Sequence, residues 1–265
     1  MDPDGPPSGG GSSASGAERL RIDLAYDGST FRGFAENRGV ETVAGNLRAV
    51  LERVLRHPVR LTCAGRTDAG VHARDQVVTF DTTADPDPDR LRDSLNGMLG
   101  PRIAVAGVRV VPADFDARFS ATGRTYRYTV LNRPFPDPFL AATSWWVPED
   151  LDRDAMDAGC PALLGQHDFT SFCRRPKSDP GASLARGVRT AFWTAGPEDP
   201  AVLVFEISAG AFCHQMVRSI VGTLVEVGRG KRSPDEVGAI LAARDRSVAG
   251  QLAPPQGLVL WRVDY

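Results

Sequence analysis

The stretch PVRLTCAGRTDAGVHARDQVVTFD, residues 58–81, contains two apolar-alternating segments separated by a loop of small and charged residues. The first segment alternates through Val59, Leu61 and Cys63, and the second covers 75–81. Alternation with a period of two is typical of half-buried β-strands. The stretch therefore predicts a strand–loop–strand unit, and its place between two helical segments decides the fold.

The flanking segments complete a pattern of strands and helices. Apolar residues alternate in 19–28 and 102–111, which predicts strands, and they recur at helical spacing in 41–55 and 89–99. Thr42 stands where the N-cap of the first helix is expected. The resulting order, β-α-β-β-α-β, is that of the ferredoxin-like split βαβ arrangement.

The second half of the chain repeats this pattern. Strands are predicted at 124–131, near 185–195, at 201–208 and at 257–265, and helices within 150–164, at 212–228 and at 233–245. We therefore predict an α+β fold of two ferredoxin-like (RRM-like) halves with antiparallel sheets, joined around a central cleft. The predicted domains are 18–114 and 115–265. The Gly/Ser/Pro-rich residues 1–17 are expected to form a disordered tail.

The composition is that of an ordinary globular chain. Hydrophobic residues make up 42% and charged residues 24% of the 265 residues. No signal-peptide pattern and no apolar run long enough for a membrane span occurs in the sequence. We therefore expect a cytoplasmic protein that does not act at a membrane.

Charge is distributed unevenly. The net charge of −2 argues against a uniformly basic nucleic-acid-binding protein. Basic residues nevertheless gather in 117–133, 174–189 and 229–232, and all but two of the 31 basic residues are arginines. Because the arginine guanidinium matches phosphate geometry, a local phosphate-binding surface is expected.

The cysteines and histidines do not indicate a metal site. Four cysteines are widely spaced and form no C-x-x-C pair, so neither a zinc site nor a disulfide framework is expected. His72 and His167 lack the spacing of metal ligands, and no motif for a phosphate or dinucleotide cofactor is present. The sequence predicts reduced thiols, no metal and no cofactor.

Asp68 is the most notable residue of the loop between the first two segments. An aspartate in a loop most often bonds local backbone N–H groups. Here Gly65 and Gly70 would also let the backbone approach a ligand closely, and Arg66 offers a guanidinium for a phosphate. The loop is therefore interpreted either as a capped turn or as a carboxylate presented to a ligand.

Tyr126 and Arg218 are two further candidates. Tyr126 lies between Arg124 and Arg127 on a predicted strand, as a core aromatic or as a surface that stacks on an unstacked base. Arg218 lies on a helix that is apolar almost all round, so it either pairs with a carboxylate or extends to solvent. His214, one turn earlier, is interpreted as a structural hydrogen-bonding residue.

Several motifs resemble one known family in their order along the chain. They are YDGSTFRGF (26–34), AGRTDAGVHA (64–73), ARFSATGRTYRYTVLN (117–132), DFTSF (168–172), FCHQMVRSIVGTLVEVG (212–228) and GLVLWRVDY (257–265). Over roughly residues 18–265 the chain is identified as a member of the tRNA pseudouridine synthase A (TruA) family, and the glycine-rich second motif is highly specific.

The resemblance implies an isomerase that converts uridine to pseudouridine at positions 38, 39 and 40 in the anticodon stem-loop of tRNAs. It also implies a homodimer that needs no cofactor. By matching motif, Asp68 would be the catalytic nucleophile or base, and Arg66 would turn the target nucleotide out of its stem. Tyr126 would pack on the target uracil and can accept a proton late in the reaction, while Arg218 would pair with Asp68.

The route of the reaction stays open at this level. Isomerisation cuts the C1′–N1 bond, rotates the base and joins C1′ to C5, so it needs neither net redox change nor hydrolysis. Asp68 could attack C1′, attack C6 or take the 2′ proton, and in each case it must be ionised, which a paired Arg218 would favour.

Two other classes of protein compete with the isomerase. A non-catalytic RNA-binding module would not need the combination of Asp68, Tyr126 and Arg218. A metal-dependent phosphodiesterase would need clustered carboxylates and histidines, which the sequence lacks.

The chain departs from the family pattern in one region. Phe34-Ala35 stands where the family usually has Trp-Gln, and Val43-Ala44 stands where it usually has Val-Gln. The loop with Asp68 is unchanged. The departures therefore concern the positioning of RNA and the range of tRNA substrates, and they leave the reaction class as predicted.

Overall fold

The computed structural model describes residues 16–175 and 179–265, so most of the predicted tail lies outside the described residues. The strands are β1 (Glu18–Tyr26), β2 (Thr62–Cys63), β3 (His72–Thr82), β4 (Ile103–Val111), β5 (Gly123–Asn132), β6 (Trp145–Val147), β7 (Gly165–Asp168), β8 (Ala185–Ala195), β9 (Val202–Ala209) and β10 (Leu258–Asp264). The α-helices are α1 (Val43–Leu55), α2 (Pro88–Leu99), α3 (Arg153–Ala158), α4 (Met216–Gly228) and α5 (Glu236–Ala243). The predicted α+β class is confirmed.

The strand order repeats between the two halves. In the first half, β1 lies between β4 and β3, and β2 pairs with the other edge of β3. In the second half, β5 lies between β10 and β9, and β8 pairs with the other edge of β9. When the short β6 and β7 are left aside, each half has four strands. Across the sheet they lie in the order fourth, first, third, second of their order along the chain. This agreement matches the internal repeat seen in the sequence pattern.

The antiparallel sheets predicted for the two halves are continuous with each other and form one sheet. β10 pairs antiparallel with β5 and parallel with β3, and it joins all the strands into a ten-stranded sheet. β3 is long enough for two partners on one edge: β2 bonds opposite Val78 and Thr79, and β10 opposite His72 and Ala73. β10 thereby pairs with backbone groups of β3 that the short β2 does not reach. The domain boundary at 114/115 stays a prediction.

The loop between β2 and β3, residues 64–71, leaves the sheet where β3 changes its partner from β2 to β10. It therefore lies at the junction of the two halves. The strand predicted around Val59, Leu61 and Cys63 is reduced to Thr62–Cys63, and residues 64–71 form the loop.

The helices form mostly where the periodicity predicts them. Thr42 caps α1 as expected, since its Oγ1 accepts a hydrogen bond of 3.2 Å from Gly45 N. α4 begins at Met216 and not at 212, because Gln215 has a φ of 66°. Nearly every residue of α4 is buried, in a core to which both halves contribute. Within the described ranges, no helix is long and apolar enough to cross a membrane.

Gly222 is where α4 packs most tightly on a neighbouring segment. A Cβ at this position would collide with the backbone carbonyl of Gln251. Gly97 on α2 has open space at the same place. The two helical glycines can therefore be compared, with Gly97 as the control for a substitution at Gly222.

We expect Gly222→Ala to lower the free energy of unfolding by about 1–3 kcal/mol, because backbone has to move. Gly97→Ala should raise it by up to about 1 kcal/mol through helix propensity. Urea denaturation followed by circular dichroism measures both. Equal effects of the two substitutions would contradict the packing of α4.

Candidate active site

The loop 64–71 is fixed at its start by a buried glutamine. Gln76 on β3 is fully buried, and its Nε2 donates to Gly65 O at 2.7 Å while its Oε1 accepts from Gly65 N at 3.3 Å. Two residues later, Thr67 Oγ1 lies 2.7 Å from Tyr26 Oη. Side chains of two neighbouring strands thus hold the segment before Asp68.

The loop then turns sharply after Asp68. Val71 N donates to Asp68 O at 3.1 Å, and Gly70 has a φ of 79°, which favours glycine at this place in the turn. On the next strand, His72 accepts a hydrogen bond from Gly28 N at 3.1 Å, and its Nε2 lies 3.0 Å from the carbonyl oxygen of Ala142. His72 therefore supports the loop. Among the described residues, no group of three histidine, cysteine or acidic side chains is placed to hold a metal ion.

The carboxylate of Asp68 meets two basic side chains of the second half. Arg218 Nη1 lies 3.1 Å from Oδ2, and His214 Nε2 lies 3.2 Å from Oδ1. The Arg218 side chain is 11% exposed, and its Nε donates to Ala253 O at 2.8 Å. The pairing of Asp68 with Arg218 expected from the sequence is therefore present, and His214, interpreted from the sequence as a structural hydrogen-bonding residue, lies beside the same carboxylate.

Tyr126, on β5, lies near the Asp68 carboxylate. Its side chain is buried, and its ring meets the ring of Phe212 edge-on at 5.0 Å between centroids. Burial, together with the nearby charge of Asp68, raises the pKa of Tyr126 above its usual range. The roles expected for Tyr126, packing on the uracil and accepting a proton, stay predictions.

Arg66 has a different environment from the other candidates. It is exposed, two residues before Asp68. Within residues 16–175 and 179–265 it forms no ion pair. Its guanidinium is thus available to an external anion beside the loop.

A cavity adjoins the turn on which Asp68 lies. Its volume is about 530 Å³, and it is lined by Ser29, Thr30, Phe31, Arg32, Ala69, Gly70 and Pro255. One exposed arginine is among the lining residues. The cavity gives room beside the loop for a polar ligand.

The arginines that flank Tyr126 do not form a phosphate site, which corrects the sequence interpretation. Arg124 is 8% exposed, and its guanidinium donates to backbone carbonyls of Ala64, Arg118, Ala121 and Gly210. Burial lowers the pKa of Arg124 below its ordinary value. Arg124 therefore ties the start of the loop 64–71 to two other segments.

Arg127 lies on the other face of the sheet, since successive strand residues alternate. Its Nε lies 2.7 Å from Glu206 Oε2, and its guanidinium lies 4.0 Å from the centre of the Trp261 ring. Both flanking arginines are thus already bound by protein groups. The pattern in the sequence could not reveal these long-range partners.

Two cysteines that the sequence predicts to be reduced lie next to each other in the structure. Cys173 and Cys213 have a Cα–Cα distance of 5.8 Å, a distance that a disulfide can span. The two residues are 40 positions apart, and only the packing of the segment after β7 against the start of α4 brings them together. Arg174 N also donates to His214 O at 2.9 Å, so the segment that carries His214 is anchored twice.

Phe34 and Ala44, which depart from the family pattern, lie next to each other. Ala44 N donates to Phe34 O at 2.9 Å, and Phe34 N donates to Thr67 O at 3.1 Å. Both side chains are buried. The changed residues therefore lie together against the loop, one residue before Asp68.

Comparison with known proteins decides the family. A family model described as tRNA pseudouridine synthase matches residues 24–120 and 160–265. The chain belongs to the tRNA pseudouridine synthase family. The matched residues include Arg66, Asp68 and Arg218, whereas Tyr126 lies between the two matched segments.

Individual relatives agree with this assignment. The chain is 42% identical to a tRNA pseudouridine synthase A of Mesorhizobium japonicum, over 93% of this chain and 99% of the relative. It is 41% identical to one of Geobacillus kaustophilus, over 94% and 95%, and 43% identical to one of Halalkalibacterium halodurans, over 92% and 92%. The predicted family and the predicted enzyme class, an isomerase, are confirmed.

In this synthase, we expect Arg124→Met to lower the free energy of unfolding by about 3 kcal/mol, because four carbonyl groups lose a charged donor. Thermal and urea unfolding measure the change. The matched control is Arg262→Met, whose side chain is 63% exposed, with an expected change below about 0.5 kcal/mol. A neutral Arg124→Met would contradict the anchoring role.

The adjacent cysteines give a second expectation, that Cys173 and Cys213 form a disulfide. Alkylation of the denatured, unreduced protein should modify two cysteines, Cys63 and Cys160, and alkylation after reduction should modify all four. Intact-mass measurement counts the added groups. Four modified thiols without reduction would show that Cys173 and Cys213 are not bonded in solution.

Proposed function

We propose that this chain isomerises uridine to pseudouridine at positions 38, 39 and 40 in the anticodon stem-loop of tRNAs, with Asp68 as catalytic nucleophile or base. Membership of the family carries the isomerisation itself. The observation that supports the role of Asp68 is its environment: a carboxylate on a fixed turn, 23% exposed, with one oxygen against a nearly buried arginine.

The ion pair gives the Asp68 carboxylate a charged partner in a partly buried place. Removing a charge from water is costly unless an opposite charge and hydrogen bonds replace the water. Arg218 supplies the charge, and its Nε bond to Ala253 O fixes the guanidinium in the position that meets Oδ2. Asp68 can then react as an ionised group in any of three ways: at C1′, at C6 or at the 2′ proton.

The target base has to leave its stack to reach Asp68, which costs a few kcal/mol. In our proposal Tyr126 packs on the extruded uracil, and burial in the pocket offsets the unstacking. Arg66, exposed on the same loop, contacts the RNA as the nucleotide turns out. The chemistry involves no net redox change and no hydrolysis, so we propose that no cofactor takes part.

The partner is a tRNA, held mainly through its phosphates. Exposed arginines surround the loop although the net charge of the chain is −2; they include Arg32, Arg66, Arg118 and Arg174. Binding through such a local cluster should weaken steeply with salt. We further propose a cytoplasmic homodimer, in which the second copy extends the surface available to the tRNA.

The decisive experiment uses tRNA with tritium at C5 of its uridines, because forming the C1′–C5 bond releases that tritium. We expect release by the wild type and none above background by Asp68→Asn, whose amide is neither a nucleophile nor a base. Affinity for tRNA should stay within about threefold, since the substitution is isosteric and leaves the exposed arginines in place. The control is Asp114→Asn at an exposed aspartate, which should behave as the wild type.

The outcomes separate the proposed functions. Release by Asp68→Asn at the wild-type rate would remove Asp68 from the chemistry. No release by the wild type, with tRNA still bound, would favour the non-catalytic RNA-binding module. Mapping of the pseudouridines in the product tests positions 38, 39 and 40.

A further inference from the structure

We propose that His214 is a positioning residue that holds the second oxygen of Asp68, so that the carboxylate has one orientation when the nucleotide arrives. The inference rests on the proposed catalytic role of Asp68. His214 Nε2 lies 3.2 Å from Oδ1, while Arg218 Nη1 lies 3.1 Å from Oδ2. The two oxygens thus have separate partners on opposite sides of the carboxylate.

The two partners have different exposure. The Arg218 side chain is 11% exposed and the His214 side chain 44%. Arg218 therefore closes the buried side of Asp68, and His214 stands on the open side, where a substrate has to approach. In our proposal the nucleotide approaches on the side of Oδ1, and His214 sets the direction of that oxygen.

The backbone beside His214 is strained in a way that fits this role. In the described ranges three non-glycine residues have a positive φ: Arg56, Gln215 and Arg244. Two of them end helices, where left-handed backbone is common. Gln215 instead precedes a helix, with a φ of 66°, where extended backbone is usual. Such strain persists where the surroundings fix it, and it is typical of functional sites.

The surroundings do fix this segment. Cys213 lies against Cys173, and His214 O accepts a hydrogen bond of 2.9 Å from Arg174 N. On the same segment, Phe212 packs against Tyr126. The backbone of 212–215 is therefore held in place, and it presents an aromatic ring to Tyr126 and an imidazole to Asp68.

Loss of His214 should affect turnover more than binding. With Arg218 alone, the carboxylate keeps its charge partner but can rotate away from the reacting atom. Misplacement of a catalytic group by about 1 Å can cost about 100-fold in rate. The contact does not contribute to the apolar core, so folding should be preserved.

The test compares His214→Leu, His214→Asn and His214→Gln in the tritium-release assay with the full-length protein. We expect Leu and Asn to lower kcat about 10- to 100-fold, with KM and melting temperature nearly unchanged. Gln should recover kcat to within about fivefold of the wild type, because its amide nitrogen reaches about as far as the histidine Nε2, whereas that of Asn does not. Should His214→Leu fail to fold, the comparison of Asn with Gln carries the test.

The control is His167→Leu, at a histidine whose Nε2 contacts Leu164 O away from Asp68; it should leave kcat unchanged. Wild-type kcat in both His214→Leu and His214→Asn would overturn the inference, as would a loss confined to KM, which would make His214 an RNA contact. Equal losses in Asn and Gln would overturn it too. Asp68→Asn gives the background of the assay. If the wild type releases no more tritium than this background, the proposed function fails. If the wild type releases tritium and the His214 variants release it equally fast, only the inference about His214 fails.

Discussion

The pairing of β10 with β3 is the constraint on which the candidate site depends. Leu260 lies opposite Ala73 on one side and opposite Tyr126 on the other. Since neighbouring strands are about 4.8 Å apart, this register sets Tyr126 two strand spacings from the residues that follow the Asp68 loop. The last strand of the chain thus brings a loop of the first half and an aromatic residue of the second half to one place.

The Asp68–Arg218 pair adds an energetic condition to this geometry. Its two members are 150 residues apart, and each is costly to bury without the other. The pair joins the loop 64–71 of the first half to α4 of the second half. The charge arrangement of the site therefore depends on both halves.

Local patterns in the sequence were enough to predict most secondary-structure elements and to identify the chemically unusual residues. Alternation and helical spacing predicted most strands and helices, and the mismatch between Arg218 and its apolar helix indicated a carboxylate partner. The shared sheet, the contact of Cys173 with Cys213 and the partners of Arg124 depend on contacts between distant segments, which spacing does not encode. The sequence indicated a hydrogen-bonding role for His214 but not its partner, because His214 precedes α4 and helical spacing does not relate it to Arg218.

The same structure explains why the departures from the family pattern can coexist with an unchanged loop. Phe34 and Ala44 reach the loop through backbone hydrogen bonds, from Ala44 N to Phe34 O and from Phe34 N to Thr67 O. Those bonds do not depend on the side chains. The other supports of the loop, Gln76 and Arg124, also bind backbone atoms. The position of the Asp68 loop is thus independent of the side chains of Phe34 and Ala44, and it depends instead on the side chains of Gln76 and Arg124.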